Sequence, residues 1–453
     1  MKVNQKEVFT MAGIAMAAFF VAAAYLATLP GKPRLYSEKY GPALMVATGH
    51  GYEAPSRWDE KTTAFLRMEQ EHIGFSDVRP EGRRPLCTFE KQERYAQLSL
   101  ALFWRVFGLD WGVLQAMSAL FFALGVVGAY LLARAFLHRP WAILAAVGCM
   151  TAPGWLYTAA AFRDVSKFPF VMGLLAIGAI VVRAPQDRWL WAYGGVLGLV
   201  GGIGMGFRPE IGLYFWGVMV LAALLNQDTR TRRRVFCTWA VLLYVLVSWP
   251  VWVKHHNNGH GIALGFVKGF QDDMGLNWHY GDTYEDAYMY ETVDMFCQCT
   301  KGEPAPPYWS KEYDRACMGY AWNITKQDPL RMVHRWFRAA WLVAGVSDGR
   351  IYETAGPQYP KGAFLERMQR YRAPLELVAW CVPLFCLFLL IVQWRFGLYL
   401  SALWLGYGGL SSLQFHTRHL AHLEVLGWIA LFGCICIGRG MLQQKEKEET
   451  CQT

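Results

Sequence analysis

Carboxylates and cations suited to group transfer recur in this chain, each beside a long apolar run. Past the first run comes RLYSEKYGPALMVATGHGYEAP, which carries Glu38. The short connection AAFRDVSKFPF holds Arg163, Asp164 and Lys167, and GFRPEIGLYF sets Arg208 and Glu210 on either side of a proline. QFHTRHLAHLE brings Arg418 and His419 to the start of the last apolar run. A carboxylate can take the proton of an incoming hydroxyl, while Arg, Lys or His stabilises a departing phosphate. Sugar transfer from a lipid phosphate needs that combination at one depth.

Plainer readings stand beside these. Glu38 can pair with Arg34 or Lys39, and Asp164 with Arg163 or Lys167. Arg208 and Arg418 can be anchors whose heads snorkel to the interface. Glu53, Asp59 and Glu60 are rival bases in the same loop as Glu38. His416, His419 and His422 recur at a spacing that shares one helical face, which leaves a metal reading open.

The elements that must position these groups are membrane helices. Hydrophobic residues make up 54% of the chain and charged ones 17%, too few to cover a soluble protein of this size. A mean hydropathy of only +0.17 requires substantial polar segments as well. Runs of roughly 18–22 apolar residues match a hydrocarbon core of about 30 Å. They predict spans near 8–29, 110–133, 141–160, 168–183, 189–206, 210–226, 235–253, 374–394, 396–413 and 423–439. The expected fold class is therefore all-α and polytopic, with about ten transmembrane helices. Two large outer loops are expected at about 30–109 and 254–373, carrying interfacial helices. The chain then divides into an N-terminal module (1–253), the large loop (254–373) and a C-terminal module with its tail (374–453). Lys2 and Lys6 precede the first run as in a signal peptide, but its length favours an uncleaved anchor.

Basic residues orient the spans. Arg134, Arg139, Arg183, Arg188, the run Arg230 to Arg234, Arg395 and Arg439 share one side with Lys2 and Lys6. The positive-inside rule makes that side the cytoplasm and puts both termini there. The net charge of +9 is thus a topology signal, and a nucleic-acid partner is not expected. Compact loops and short tails favour a bacterial inner membrane over the endoplasmic reticulum. YAQLSLALFWRVFG and DPLRMVHRWFRAAWLVAGV read as interfacial helices or as packing elements against the bundle.

Asp164, Arg208, Glu210, Glu376, Arg418, His419 and Glu424 all fall at outward span ends, and span centres are nearly free of charge. A carrier keeps such groups near the midplane, so this distribution favours an enzyme at the interface. A flippase or exporter of lipid-linked glycans is the second expectation, and a non-catalytic assembly subunit the third. In the large loop, His260 and Asp286, with Asp272, Asp273 and nearby aromatic residues, are candidates for sugar binding; the aromatics can equally pack the loop. Cys87, Cys297, Cys299 and Cys317 fall in outer loops and suit one or two disulfides.

In order and common side, these motifs resemble the GT-C superfamily of membrane glycosyltransferases, which use polyprenyl-phosphate-linked sugars. The resemblance implies that Glu38 is the general base. Asp164 becomes a second acid, positioning either the acceptor or a divalent cation, Mg or Mn. Arg163, Lys167, Arg208 with Glu210, Arg418 and His419 would then bind substrate and its lipid phosphate. It further implies a polyprenyl-phosphate sugar donor, a lipid, glycan or protein acceptor, surrounding membrane lipid, and an active site on the non-cytoplasmic face. The chain departs from the family in offering a single Glu where many members carry Asp or an acidic pair.

Overall fold

The computed structural model describes residues 5–29, 37–183, 189–252, 286–307, 310–344, 378–410 and 421–452. Helices dominate, as hydrocarbon requires of backbone that must satisfy itself internally. The chain begins with α1 (Gln5–Ala27), followed by α2 (Gly41–Ala47), α3 (Glu60–Leu66), α4 (Thr88–Gln92) and α5 (Arg94–Phe107). Next come α6 (Trp111–Phe136), α7 (Arg139–Met150), α8 (Pro153–Ala159), α9 (Phe162–Val165) and α10 (Phe168–Arg183). Beyond these lie α11 (Leu190–Met205), α12 (Ile211–Leu225), α13 (Arg230–Trp252), α14 (Asp286–Lys301), α15 (Lys311–Gln327) and α16 (Pro329–Ala344). The last described elements are α17 (Cys381–Val392), α18 (Trp394–Ala402), a π-helical stretch (Leu403–Gly408) and α19 (Val425–Gln452).

Among the described residues, five helices are long and apolar enough to cross a membrane: Gln5–Ala27, Trp111–Phe136, Phe162–Arg183, Arg230–Val251 and Ala421–Arg439. α7 and α8 form a sixth only as a pair, bent by 55°. α11, α12 and Val378–Val392 are apolar but shorter. The chain is an all-α polytopic membrane protein, as its composition predicts. The expected span near 141–160 is a bent pair and not one continuous helix. Pro153 has no N–H to continue α7, and Ala152 before it is extended (φ −67°, ψ 127°), so the helix breaks there.

α10 sits at the centre of the larger core, packed against α6, α11, α12 and α18. Gly125 and Gly128 of α6 let Phe168 and Met172 of α10 approach closely, since a Cβ there would meet them at 2.7 and 2.6 Å. In the first turn of α1 the buried carboxylate of Glu7 accepts from Tyr130 (2.6 Å) and Arg134 (3.1 Å), tying α1 to α6.

A second core lies under the segment between α1 and α6. Phe65 stacks on Trp111 at 5.0 Å, Trp104 meets Trp111 edge-on at 5.5 Å, and the two indoles donate to the carbonyls of Asp110 and Phe65. Short antiparallel pairs, β1 (Arg57–Trp58) with β3 (Pro80–Glu81) and β2 (His72–Ile73) with β4 (Leu109–Asp110), close the cap. α5 buries Gln97, Leu100, Ala101 and Trp104 and leaves Leu102, Val106 and Phe107 exposed, the division an interfacial helix requires. α16 likewise exposes Leu330, Val333 and Phe337 while burying Ala339 and Ala340. The four loop cysteines are free thiols: Cys87 and Cys299 are exposed, whereas Cys297 and Cys317 share a small apolar cluster between α14 and α15.

Candidate active site

The charged residues sit at the seam between the two cores. Phe162 and Phe207 belong to the cap's core, while Val165, Phe168 and Ile211 belong to the membrane core. The turns between them carry Arg163, Asp164, Lys167, Arg208 and Glu210. Asp164 and Lys167 are each only 1% exposed and Arg208 5%. Charges buried to this extent must be paired.

Arg208 is the hub. Its Nε and Nη2 each lie 2.9 Å from Oε1 of Glu210. Its Nη1 is 3.5 Å from Oδ1 of Asp164 and 3.9 Å from Oε1 of Glu93. Glu93 also accepts a short hydrogen bond from Nε of Arg163. Lys167 Nζ is 3.5 Å from Glu210. Burial works to raise the pKa of Glu210, but Arg208 and Lys167 hold it well below the usual glutamate value. Glu93, Asp164 and Glu210 thus balance Arg163, Lys167 and Arg208, and the Glu210 side chain is the most open of these, at 31% exposure.

Glu93 is the residue that sequence reasoning missed. It lies two residues before YAQLSLALFWRVFG, the stretch whose apolar rhythm reads as an interfacial helix. Its one local mark is its place as N-cap of α5, directly before Arg94, and an ordinary helix cap carries the same mark. α5 is docked by Gly206, whose carbonyl accepts from the backbone N–H of Tyr95 at 2.8 Å, and by the Tyr95 hydroxyl, which donates to the Val247 carbonyl. One turn along the same helix, Gln97 donates to the Lys39 carbonyl (2.9 Å) and accepts from Ala43 N–H (3.2 Å). That contact holds the Ser37–Tyr40 turn, which contains Glu38, on the face of α5 that also bears Glu93. The Glu38 side chain itself lies outside the described residues.

The rival bases are engaged elsewhere. Asp59 caps α3, accepting from Thr62 N–H at 3.0 Å and Arg79 N–H at 3.2 Å. Glu53 pairs with Arg83 at 2.9 Å, and Glu60 is exposed in the first turn of α3.

His422 is the other residue brought to this region. It is buried, and its Nε2 is 2.8 Å from the Tyr214 hydroxyl. Tyr214 follows Glu210 by one helical turn and stacks on Tyr407 at 4.3 Å. The Tyr407 hydroxyl donates to the Tyr214 carbonyl at 3.0 Å. Phe168, next to Lys167, packs its ring 5.9 Å from the imidazole. The starts of Phe162–Arg183, α12 and Ala421–Arg439 therefore meet here, each directing the positive end of its dipole at the network. Glu424, at the head of the last of these, accepts from Trp428 at 3.1 Å.

His260, Glu376, Arg418 and His419 lie outside the described residues, and Asp286 heads α14 with its side chain outside them too. Among the described residues no group of three or more His, Cys, Asp and Glu is placed to hold a metal. Asp164 and Glu210 face Arg208 instead, a donor set that does not fit a divalent cation.

No protein-family profile matches the sequence, and no curated relative matches it either. Among solved structures, the crystal structure of ArnT from Cupriavidus metallidurans bound to undecaprenyl phosphate matches with a TM-score of 0.38 and 14% identity, covering 95% of this chain and 78% of that chain. A likeness of that size carries no functional inference, so the chemistry has to be read from the residues at the seam.

Proposed function

We propose that this chain is a membrane glycosyltransferase that moves a sugar from a polyprenyl-phosphate carrier to an acceptor on the non-cytoplasmic face. The observation that carries the reading is the junction of Asp164, Lys167, Arg208 and Glu210 with Glu93 and Arg163 at one end of the apolar helices. Lys167 and Arg208 are suited to a lipid phosphate, and the helix starts around them favour an anion. Because the described charges balance, a phosphate entering here needs further positive charge. Arg418 and His419, directly before the start of the last helix, supply it in this reading.

In the reaction, Glu38 removes the proton of an acceptor hydroxyl as that oxygen attacks the anomeric carbon. The bond from that carbon to the phosphate oxygen breaks, and the electron pair leaves with the phosphate. Lys167 and Arg208 stabilise the charge gained there, more strongly than in the ground state. Asp164 keeps Arg208 aimed at the leaving group and positions the acceptor. His260 and Asp286 are assigned to the sugar.

The test is transfer by purified protein from a panel of radiolabelled polyprenyl-phosphate sugars, run beside a liposome assay for movement of lipid-linked glycan. Transfer from one donor class, without movement across the bilayer, is the predicted outcome. Glycan crossing with no transfer from any donor would replace the enzyme reading with that of a flippase.

A further inference from the structure

Nδ1 of His422 is buried with no hydrogen-bond partner among the described residues, and the buried Nη1 of Arg208, which faces Asp164 at ion-pair distance (3.5 Å), makes no hydrogen bond there either. Proteins seldom leave such donors unpaired, and a missing ion or ligand is a common reason when they do. Arg208 binds Glu210 directly at 2.9 Å, and His422 is held by Tyr214, one helical turn further along α12.

A neutral imidazole carries one N–H and one lone pair. The Tyr214 hydroxyl lies 2.8 Å from Nε2; in the arrangement where that hydroxyl donates, the ring proton sits on Nδ1. Tyr214 cannot swing away, because it is stacked on Tyr407 with only 19° between the rings. Tyr407 comes from the π-helical stretch Leu403–Gly408, so a local widening of that helix stands behind the pair. Phe168 lies against the imidazole and limits its rotation. With the proton so placed, the ring is a neutral N–H donor in fixed orientation, beside an ionic network whose described charges balance.

We propose that His422 is an oxyanion ligand, its Nδ1–H donating to an oxygen of the phosphate that Lys167 and Arg208 hold, with Tyr214 as the positioning residue that sets the tautomer. The neutral donor adds a hydrogen bond to the phosphate and no charge, so the charge the phosphate brings is still met by Arg418 and His419 in this reading. The inference rests on the polyprenyl-phosphate reading and adds to it a ligand the cationic motifs do not contain.

The experiment is equilibrium binding to the full chain in nanodiscs, with undecaprenyl phosphate, undecaprenol and inorganic phosphate as probes. His422→Gln places its amide at the Nε2 position and loses the donor, so undecaprenyl phosphate binds about ten- to a hundredfold more weakly. His422→Asn carries its amide nitrogen close to the Nδ1 position and keeps most of the affinity. Tyr214→Phe removes no ring but frees the tautomer, and falls between them. Undecaprenol binds equally to all four proteins, which a merely structural role of His422 would not allow. Equal weakening of both lipids in His422→Gln would overturn the ligand role, as would undiminished phosphate-lipid binding in that variant while Arg208→Ala loses it. If wild type binds no undecaprenyl phosphate at all, the lipid reading falls first and this inference with it. Inorganic phosphate binding as tightly as the lipid, with the same loss in His422→Gln, would support the ligand role and overturn the lipid as its source.

Discussion

Arg208 bears on three carboxylates at once, and that explains both its burial and its place between Pro209 and the α11 end. Lysine would bring the charge but not the planar fork that sets two nitrogens on Glu210. The depressed pKa of Glu210 makes a pH prediction with a definite sign. Its ordinary value is 4.5 and its folded value is lower, so between the two the unfolded state binds more protons and stability falls as pH falls. The stability advantage of wild type over Glu210→Gln should be constant from pH 7 to about 4.5 and shrink below that, read by thermal unfolding in detergent. A difference that stays flat to pH 3 would contradict the pairing with Arg208 and Lys167. At this scale the sequence was partly legible. Arg163, Asp164, Lys167, Arg208 and Glu210 stood out because charge beside apolar runs is rare. Glu93 and Tyr214 did not, because nothing local separates a site acid from a helix cap, or a site tyrosine from a packed one.

Among the elements, the N-terminal turn of α5 is one of the contacts that join the cap to the bundle, and Gly206 permits it. The Tyr95 ring occupies the space a Cβ at Gly206 would need, while the Gly206 carbonyl takes two backbone N–H groups, from Tyr95 and Ala96. Gly206→Ala should push α5 outward, separate Glu93 from Arg163, and cost about 1–3 kcal/mol of stability. Gly13→Ala in α1, where nothing lies within 4 Å of the added carbon, is the matched control and should be close to neutral. Equal thermal stability of the two variants would show that α5 does not depend on this contact. Helix existence was legible because apolar runs long enough to span admit little else. The 55° bend between α7 and α8 was signalled only by Pro153, and the π stretch bearing Tyr407 had no signal, since its cause is packing between distant helices.

For the molecule as a whole, the ionic network and the Arg-rich connections lie at opposite ends of α10, with Lys167 before its start and Arg183 at its finish. In our topology the Arg end is cytoplasmic. Cys87 and Cys299 are exposed and fall in the two segments assigned outside, which turns them into reporters. A membrane-impermeant maleimide should label both in intact cells; labelling only in inverted vesicles would reverse the orientation. Our assignment of sides rests on basic connections that repeat along the whole chain. Sequence could not bring α5, α10, α12 and the final helix to one seam, since that depends on how two separate cores meet.

The most direct test of the seam as a catalytic centre is single-turnover sugar transfer by wild type, Glu38→Gln and Asp164→Asn, with donor binding measured on the same preparations. The account predicts that both variants still bind the polyprenyl-phosphate sugar and that both lose transfer by about a hundredfold or more. Transfer at the wild-type rate in both, with donor bound, would contradict it and leave the buried network as a structural lock between cap and bundle.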